Sequence, residues 1–247
     1  MTTPDLKGRT ALVTGASRGL GAAIAEHLAE AGAHIIATAR TTGGLEALDD
    51  RIKAKGGTAT LVPLNITDYD GIDRLGGALY ERFGKLDILV GNAGMLGPLT
   101  PLGHVEPKTW DEVMAVNVTA NWRLIRSLDP LLRQSDAGRA VFVSSGAATN
   151  IRAYWGPYAV TKAALDALVR TYSEETQNTP VRVNLFNPGA TRTKMRKQAM
   201  PGEDPETLPT PEEIGAHVLT LVDPALQETG MLYDARQARF LAFQRPA

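Results

Sequence analysis

The chain has 247 residues, with 26 lysines and arginines against 27 aspartates and glutamates, a formal net charge of -1. That balance excludes the broad basic field of a nucleic-acid binder, and the absence of cysteine excludes disulfides, thiolate metal sites and a cysteine nucleophile. Hydrophobic residues at 43% suffice for a substantial core. No apolar run approaches the ~18 residues of a membrane span, and residues 1–10 lack a signal-peptide core. The expectation is a soluble cytoplasmic protein with no membrane, nucleic-acid or metal partner.

Short apolar runs alternate with longer helical patterns along the chain. Residues 10–14 (TALVT), 34–39 (HIIATA), 58–62, 86–90, 140–144 and 181–186 read as strands. Helical patterns lie near 20–31, 44–55, 69–83, 108–133, 157–177 and 211–222. The strand runs are too apolar for a half-exposed sheet, so helices are expected on both faces. Strict β-α alternation without a linker predicts one α/β domain over 1–247. It is a doubly wound, Rossmann-type sheet of about seven parallel strands, the seventh near 230–233. Two loops interrupt the rhythm, 95–107 and 189–211. Both follow strands, and ligands of open α/β sheets bind beyond the carboxyl ends of strands. These loops, the second as a substrate loop over about 190–210, are expected walls of a site.

Thr14-Gly15-Ala16-Ser17-Arg18-Gly19-Leu20-Gly21 joins the first strand to the first helix. Glycines let a phosphate approach the backbone, and a helix start offers it free N–H groups and a favourable dipole. A plain strand–helix turn would carry glycines too, but here three residues separate Gly15 from Gly19. The stretch therefore resembles the TGxxxGxG turn of the short-chain dehydrogenase/reductase family. The resemblance implies a nicotinamide dinucleotide bound by Gly15, Ser17, Arg18, Gly19 and Leu20. The second strand ends Ala37-Thr38-Ala39-Arg40, without an acid to accept from a ribose 2′-hydroxyl. Arg18 and Arg40 suit a 2′-phosphate instead, so NADP(H) is expected rather than NAD. Asn65 stands where the family usually has Asp, and with Ile66 it is expected at the adenine. Asn92-Ala93-Gly94 resembles the family's NNAG, with Gly91 replacing the first Asn, and is expected along the cofactor.

Tyr158 and Lys162 lie four apart on a helix opened by Pro157, and so share a face. Alone, such a pair is commonplace on a surface. Ser145 lies 13 residues and Asn117 lies 41 residues before Tyr158, spacings that resemble the family's Asn-Ser-Tyr-Lys constellation. Ser144 is one residue out of place. Asn117 shares a helical face with Val113, Ala120 and Leu124, so its amide is expected to be buried and hydrogen-bonded. A phenol with pKa ~10 is a poor proton source near neutrality, and a nearby ammonium lowers it. The resemblance implies Tyr158 as acid/base and Lys162 as the group that tunes it and binds the nicotinamide ribose. Ser145 then holds the substrate oxygen, and Asn117 anchors a water leading to Lys162.

Asn187-Pro188-Gly189-Ala190-Thr191-Arg192-Thr193 follows the sixth strand and resembles the family's PG motif. Pro188 and Gly189 are expected behind the nicotinamide, with Thr191 and Thr193 on its carboxamide. Met95, Leu96, Ala147, Ile151, Tyr154, Trp155 and Met195 are pocket candidates, Tyr154 and Trp155 equally suiting a subunit contact. The run from Thr191 to Pro211 resembles a poorly characterised bacterial branch of the family more than the acyl-carrier-protein reductases. The basic, aromatic tail 235–247 departs from the family, which commonly ends with a glycine pair. The helices at 108–133 and 157–177 resemble those through which members pair, implying a homodimer or homotetramer. The function implied is hydride transfer between NADP(H) and a small-molecule carbonyl or alcohol. A carrier-linked 3-ketoacyl reductase and an NADP(H)-sensing binding protein are the alternatives. The acidic Ser173-Glu174-Glu175 disfavours an acidic carrier, and a sensor has no need of Asn117, Ser145, Tyr158 and Lys162.

Overall fold

The computed structural model describes residues 3–243. The parallel strands are β1 (Thr10–Thr14), β2 (His34–Ala39), β3 (Thr58–Pro63), β4 (Ile88–Gly91), β5 (Arg139–Val143), β6 (Arg182–Asn187) and β7 (Leu232–Asp234). A further strand, β8 (Arg239–Leu241), returns antiparallel along β7. The helices are α1 (Gly19–Glu30), α2 (Thr42–Ala54), α3 (Tyr69–Phe83), α4 (Pro107–Met114), α5 (Ala120–Leu132), α6 (Gly156–Glu175), α7 (Lys194–Ala199), α8 (Pro211–Gly215) and α9 (Val218–Leu221). The sheet order is β3-β2-β1-β4-β5-β6-β7-β8. The chain builds outward from β1 to β3, then crosses back to place β4 on the other side of β1. That reversal makes the crevice in which open α/β sheets bind ligands.

Pleating sends successive side chains to opposite faces, and the strands divide accordingly. Ala11 and Val13 join one core and Leu12 the other; Ile35 and Ile36 split the same way, as do Phe142 and Val143. Ile24, Leu28, Leu45, Leu48 and Ile214 of α1, α2 and α8 cover the first face. Leu75, Leu79, Leu124, Leu128, Leu165 and Val169 of α3, α5 and α6 cover the second. This is why the strands read as continuous apolar runs.

Three features differ from the sequence reading. The expected helix at 108–133 is α4 and α5 joined by a π-helical turn, Ala115–Thr119. The expected helix at 211–222 is two short helices, α8 and α9. Gly215 closes the first of them, and a Cβ there would lie 3.1 Å from that of Ala23, so glycine lets α8 approach α1. The tail turns at Ala238 (φ 48) into β8, where Phe240 meets the buried Tyr233 edge-on at 5.0 Å. The part of the tail beyond 243 lies outside the described residues.

At the amino ends of the strands, Asp87 is fully buried. It accepts from Thr10 N at 2.9 Å, Ser135 Oγ at 2.6 Å, Lys85 Nζ at 2.8 Å and Arg9 Nη1 at 3.1 Å. Burial pushes its carboxyl up, but these donors outweigh burial and hold it below the ordinary carboxylate range. A carboxyl depressed in the folded state adds stability above its unfolded pKa and loses it as pH falls through the folded value. Asp87→Ala is expected to lower the unfolding free energy at pH 7 by on the order of 3 kcal/mol. Urea melts should show that deficit narrowing as the medium is acidified; a deficit below about 0.5 kcal/mol at pH 7 would reduce Asp87 to an ordinary surface acid.

Candidate active site

The crevice opens where β1 and β4 end. The Thr14 hydroxyl accepts from Asn92 N and Ala93 N, each at 3.0 Å, and donates to Val90 O at 3.3 Å. The Asn92 amide donates to Thr14 O at 2.8 Å and leans on Gly15 O at 3.4 Å. Gly15 and Gly19 take left-handed backbone, φ 66 and φ 56. A Cβ on Gly15 would sit 3.0 Å from Ala93 Cα, and one on Gly21 would sit 2.4 Å from Gly15 O. Arg18 forms the N-cap of α1 without a side-chain hydrogen bond, and the first turn holds no acid. The leading N–H groups of a 12-residue helix are therefore left for an anion.

The other cofactor candidates line the same end of the sheet. Ser17 packs beneath Gly44 at the start of α2, where a Cβ would come within 2.8 Å of Ser17 Cβ. Leu20 packs on the first core. Thr14 and Thr38 are register partners, so the glycine turn and Arg40 follow adjacent strand ends. Arg18 and Arg40 are both exposed. Asn65 is exposed after β3, and Ile66 is buried in the second core.

Asn117, Ser145, Tyr158 and Lys162 come together. Asn117 sits in the π-helical turn, fully buried. Its side chain pairs with the backbone of Met95, accepting from N and donating to O at 2.9 Å, and donates to Thr161 Oγ1 at 3.0 Å. Both amide hydrogens are thus committed, leaving only acceptor capacity for a water. Gly94 brings the β4 loop against the group: a Cβ there would lie 3.4 Å from Asn117 Oδ1 and 3.8 Å from Lys162 Nζ. Lys162 Nζ donates to Val143 O at 2.7 Å and lies 5.7 Å from the Tyr158 ring centroid. Burial pushes Lys162 down to about 8, against the opposing charge of Asp166. Burial pushes the Tyr158 phenol up, and its hydrogen bond with Ser145 acts against that rise. The lowering expected from Lys162 is not seen here: burial raises the phenol, and what opposes it comes from Ser145.

Beyond β6, Gly189 (φ 68) leaves room for Arg236, whose Cγ and Cδ lie 3.0 Å from where a Cβ would stand. Thr191 is buried and donates to Pro188 O at 3.3 Å. The Thr193 oxygen caps α7 by accepting from Arg196 N at 3.1 Å, leaving its hydrogen to donate elsewhere. An apolar cluster of Leu96, Tyr158 and Ala199 forms beside the phenol, with Ala147, Trp155 and Met195 packed on it. Of the pocket candidates, Met95, Ile151 and Tyr154 stay outside it, the last two 75% and 60% exposed. Residues 194–199, read as loop, form α7 and contribute to this wall.

Sequence reasoning missed several supporting groups. Thr14 clips β1 to β4. Thr161, adjacent to Lys162, relays Asn117 to the Tyr158 carbonyl, donating to it at 2.9 Å. Asp166 lies one turn beyond Lys162. The one signal was a polar residue on an otherwise apolar strand end or helix face, and such residues abound.

The family model described as short chain dehydrogenase matches residues 9–204. The chain is 37% identical over 238 residues to the uncharacterised oxidoreductase YciK of Escherichia coli K12, covering 95% of this chain and 94% of that protein. It is 33% identical over 228 residues to the 3-oxoacyl-acyl-carrier-protein reductase FabG of Vibrio cholerae, covering 89% and 92%. A crystal structure of a short chain dehydrogenase from Shigella flexneri, complexed with NADP, matches with a TM-score of 0.91 at 36% identity, covering 95% of this chain and 100% of that one. The ordering of these identities agrees with the greater resemblance to a poorly characterised bacterial branch.

The glycine turn yields a stability test. Gly21→Ala forces a methyl against Gly15 O and the Asn92 amide, overpacking that costs about 1–3 kcal/mol. The melting temperature is expected to fall by about 5 °C. A scanning-calorimetry shift below about 1 °C would mean the turn is looser than its geometry.

Proposed function

This chain belongs to the short chain dehydrogenase family, and we propose that it is an NADP(H)-dependent oxidoreductase acting on a small-molecule carbonyl or alcohol, with Tyr158 as acid/base. The observation that carries this reading is the convergence of the half-buried Ser145 with the buried Tyr158 and Lys162 behind Gly94 and the glycine turn.

The residues fit the dinucleotide. The uncapped N–H groups of α1 suit its pyrophosphate. Arg18 and Arg40 are exposed cations on neighbouring strand ends, with no carboxylate at the end of β2 to repel a 2′-phosphate. The NADP complex of the related Shigella protein supports the same choice. Asn65 and Ile66 stand at the adenine end, Ala93 and Gly94 along the middle. Pro188, Gly189, Thr191 and Thr193 stand at the nicotinamide. Asn92 acts by holding the turn, since its amide is engaged with Thr14 and Gly15.

NADPH, when bound, supplies the hydride. Tyr158 delivers a proton to the carbonyl oxygen as alkoxide charge develops. Its raised phenol stays protonated at neutral pH, which suits reduction. Ser145 donates to the same oxygen. Lys162, an ammonium below about pH 8, stabilises the phenolate left behind. The wall of Leu96, Trp155 and Met195 keeps water from the phenol.

A carrier-linked 3-oxoacyl substrate is the second reading, favoured by the identity to the Vibrio reductase. The exposed Glu174 and Glu175 repel an acidic carrier.

Tyr158→Phe should abolish NADPH-dependent turnover in a carbonyl screen while NADPH still raises the melting temperature. Activity within a few-fold of wild type would sink the mechanism. Arg18→Ala and Arg40→Ala should each weaken NADPH binding by about 10-fold or more and leave NADH binding unchanged. Isothermal titration checks this, and equal losses for both nucleotides would remove the 2′-phosphate assignment.

A further inference from the structure

One buried charge has no task in that mechanism. Asp166, one turn beyond Lys162 on α6, is 6% exposed. It accepts from the hydroxyl of Ser144, which is buried as well. Ser145 continues the strand in extended backbone, φ -160 and ψ 151, so neighbouring side chains leave on opposite sides. Ser145 reaches Tyr158 while Ser144 reaches Asp166. The carbonyl before them, Val143 O, receives Lys162. Three consecutive residues at the end of β5 therefore hold three residues of α6 spaced four apart. Val143 takes Lys162, Ser144 takes Asp166 and Ser145 takes Tyr158.

We infer that Asp166 is a positioning residue that, anchored on Ser144, supplies the counter-charge keeping Lys162 an ammonium at the end of β5. The inference rests on the reading of Lys162 as the cation that acts on Tyr158. A buried lysine with one carbonyl acceptor tends to shed its proton. Burial does push Lys162 down, to about 8, and Asp166 is the charge opposing it. Burial likewise pushes Asp166 up, to about 6, opposed by Ser144, Lys162 and Arg170. The groups facing Asp166 are thus Lys162 and Arg170 on its own helix and the Ser144 hydroxyl from the β5 end. Between about 6 and about 8 the carboxylate and the ammonium coexist, each supporting the other's charge.

Carbon-13 NMR titration of the full chain tests this without any substrate. The Lys162 Cε resonance is assigned by its loss in Lys162→Met, and the Asp166 Cγ resonance by its loss in Asp166→Asn. In Asp166→Asn the Lys162 midpoint should fall by about one pH unit or more, and Asp166→Glu should restore most of the fall. A midpoint within about 0.2 pH unit of wild type overturns the inference. If Asp166→Asn does not fold, the reciprocal titration decides. Coupling is reciprocal, so Lys162→Met should raise the Asp166 midpoint by a comparable amount. An Asp166 midpoint unmoved in Lys162→Met overturns the inference equally. Neither titration reads turnover, so failure of the Tyr158 mechanism and failure of this coupling are separate results.

Discussion

The carboxyl ends of β1 and β4 must lie side by side while the connections leaving them diverge, and the Thr14 hydroxyl meets that constraint. It satisfies two N–H groups and one carbonyl where regular sheet pairing stops. Buried backbone groups left without partners there would cost more than the loop could recover. Asn92 completes the clip from the other side. Once the two loops are this close, the small residues are consequences. Gly15 and Gly21 are glycine because a Cβ would strike β4's loop or the turn itself. Gly94 extends the closeness from the turn to Lys162. The uncapped helix end and the cluster around Lys162 are therefore set by one packing arrangement.

The β5–α6 junction works differently. It joins a strand end to a helix by one carbonyl and two hydroxyls, and it buries two opposite charges. Their shifts have a definite sign in stability. Asp166, raised to about 6, adds stability only at acid pH and loses it as pH rises through that value. Lys162, lowered to about 8, adds stability only at alkaline pH and loses it as pH falls through that value. Between the two values neither contributes, so the fold is least helped by this pair where both are charged. Buried ion pairs are seldom there for stability, and a site that needs an ammonium beside a phenol gives a reason to retain one.

How far the sequence discloses all this depends on the range of the interactions. Covered on both faces, β1 and β2 show as unbroken apolar runs, and their bounds coincide with the structure. β8 escaped because its turn places Ala238, not glycine or asparagine, at positive φ. The π-helical turn escaped because the buried positions Val113, Asn117, Ala120 and Leu124 keep a helical spacing across it. Within the candidate site, the convergence of Ser145, Tyr158 and Lys162 was legible through spacing, since the three lie on consecutive elements. Thr14, Thr161 and Asp166 were not, because a threonine or aspartate signals nothing until its partner, distant in sequence, is known. Asn92 and Thr193 were read as cofactor contacts, and what the structure shows is what their side chains hold: the glycine turn and the first turn of α7.

The apolar wall gives the buried charges their meaning. α7 is fixed at its start by Thr193 and at its side by the Arg196–Glu203 pair, with Nη2 to Oε1 at 2.6 Å. Arg192 ties the segment further to Leu208 O at 3.2 Å. These polar ties let Met195 and Ala199 rest against Leu96 and Tyr158 without polar groups of their own at the contact. Excluding water there makes the phenol reluctant to ionise, which is useful in a proton donor and unhelpful once the proton has gone. A cation beside the resulting phenolate corrects that, yet the same dry surroundings threaten the cation's own proton. Asp166 on its Ser144 anchor answers the second problem as Lys162 answers the first. The acid, the cation and the counter-charge thus recur every fourth residue along α6, each burial requiring the next.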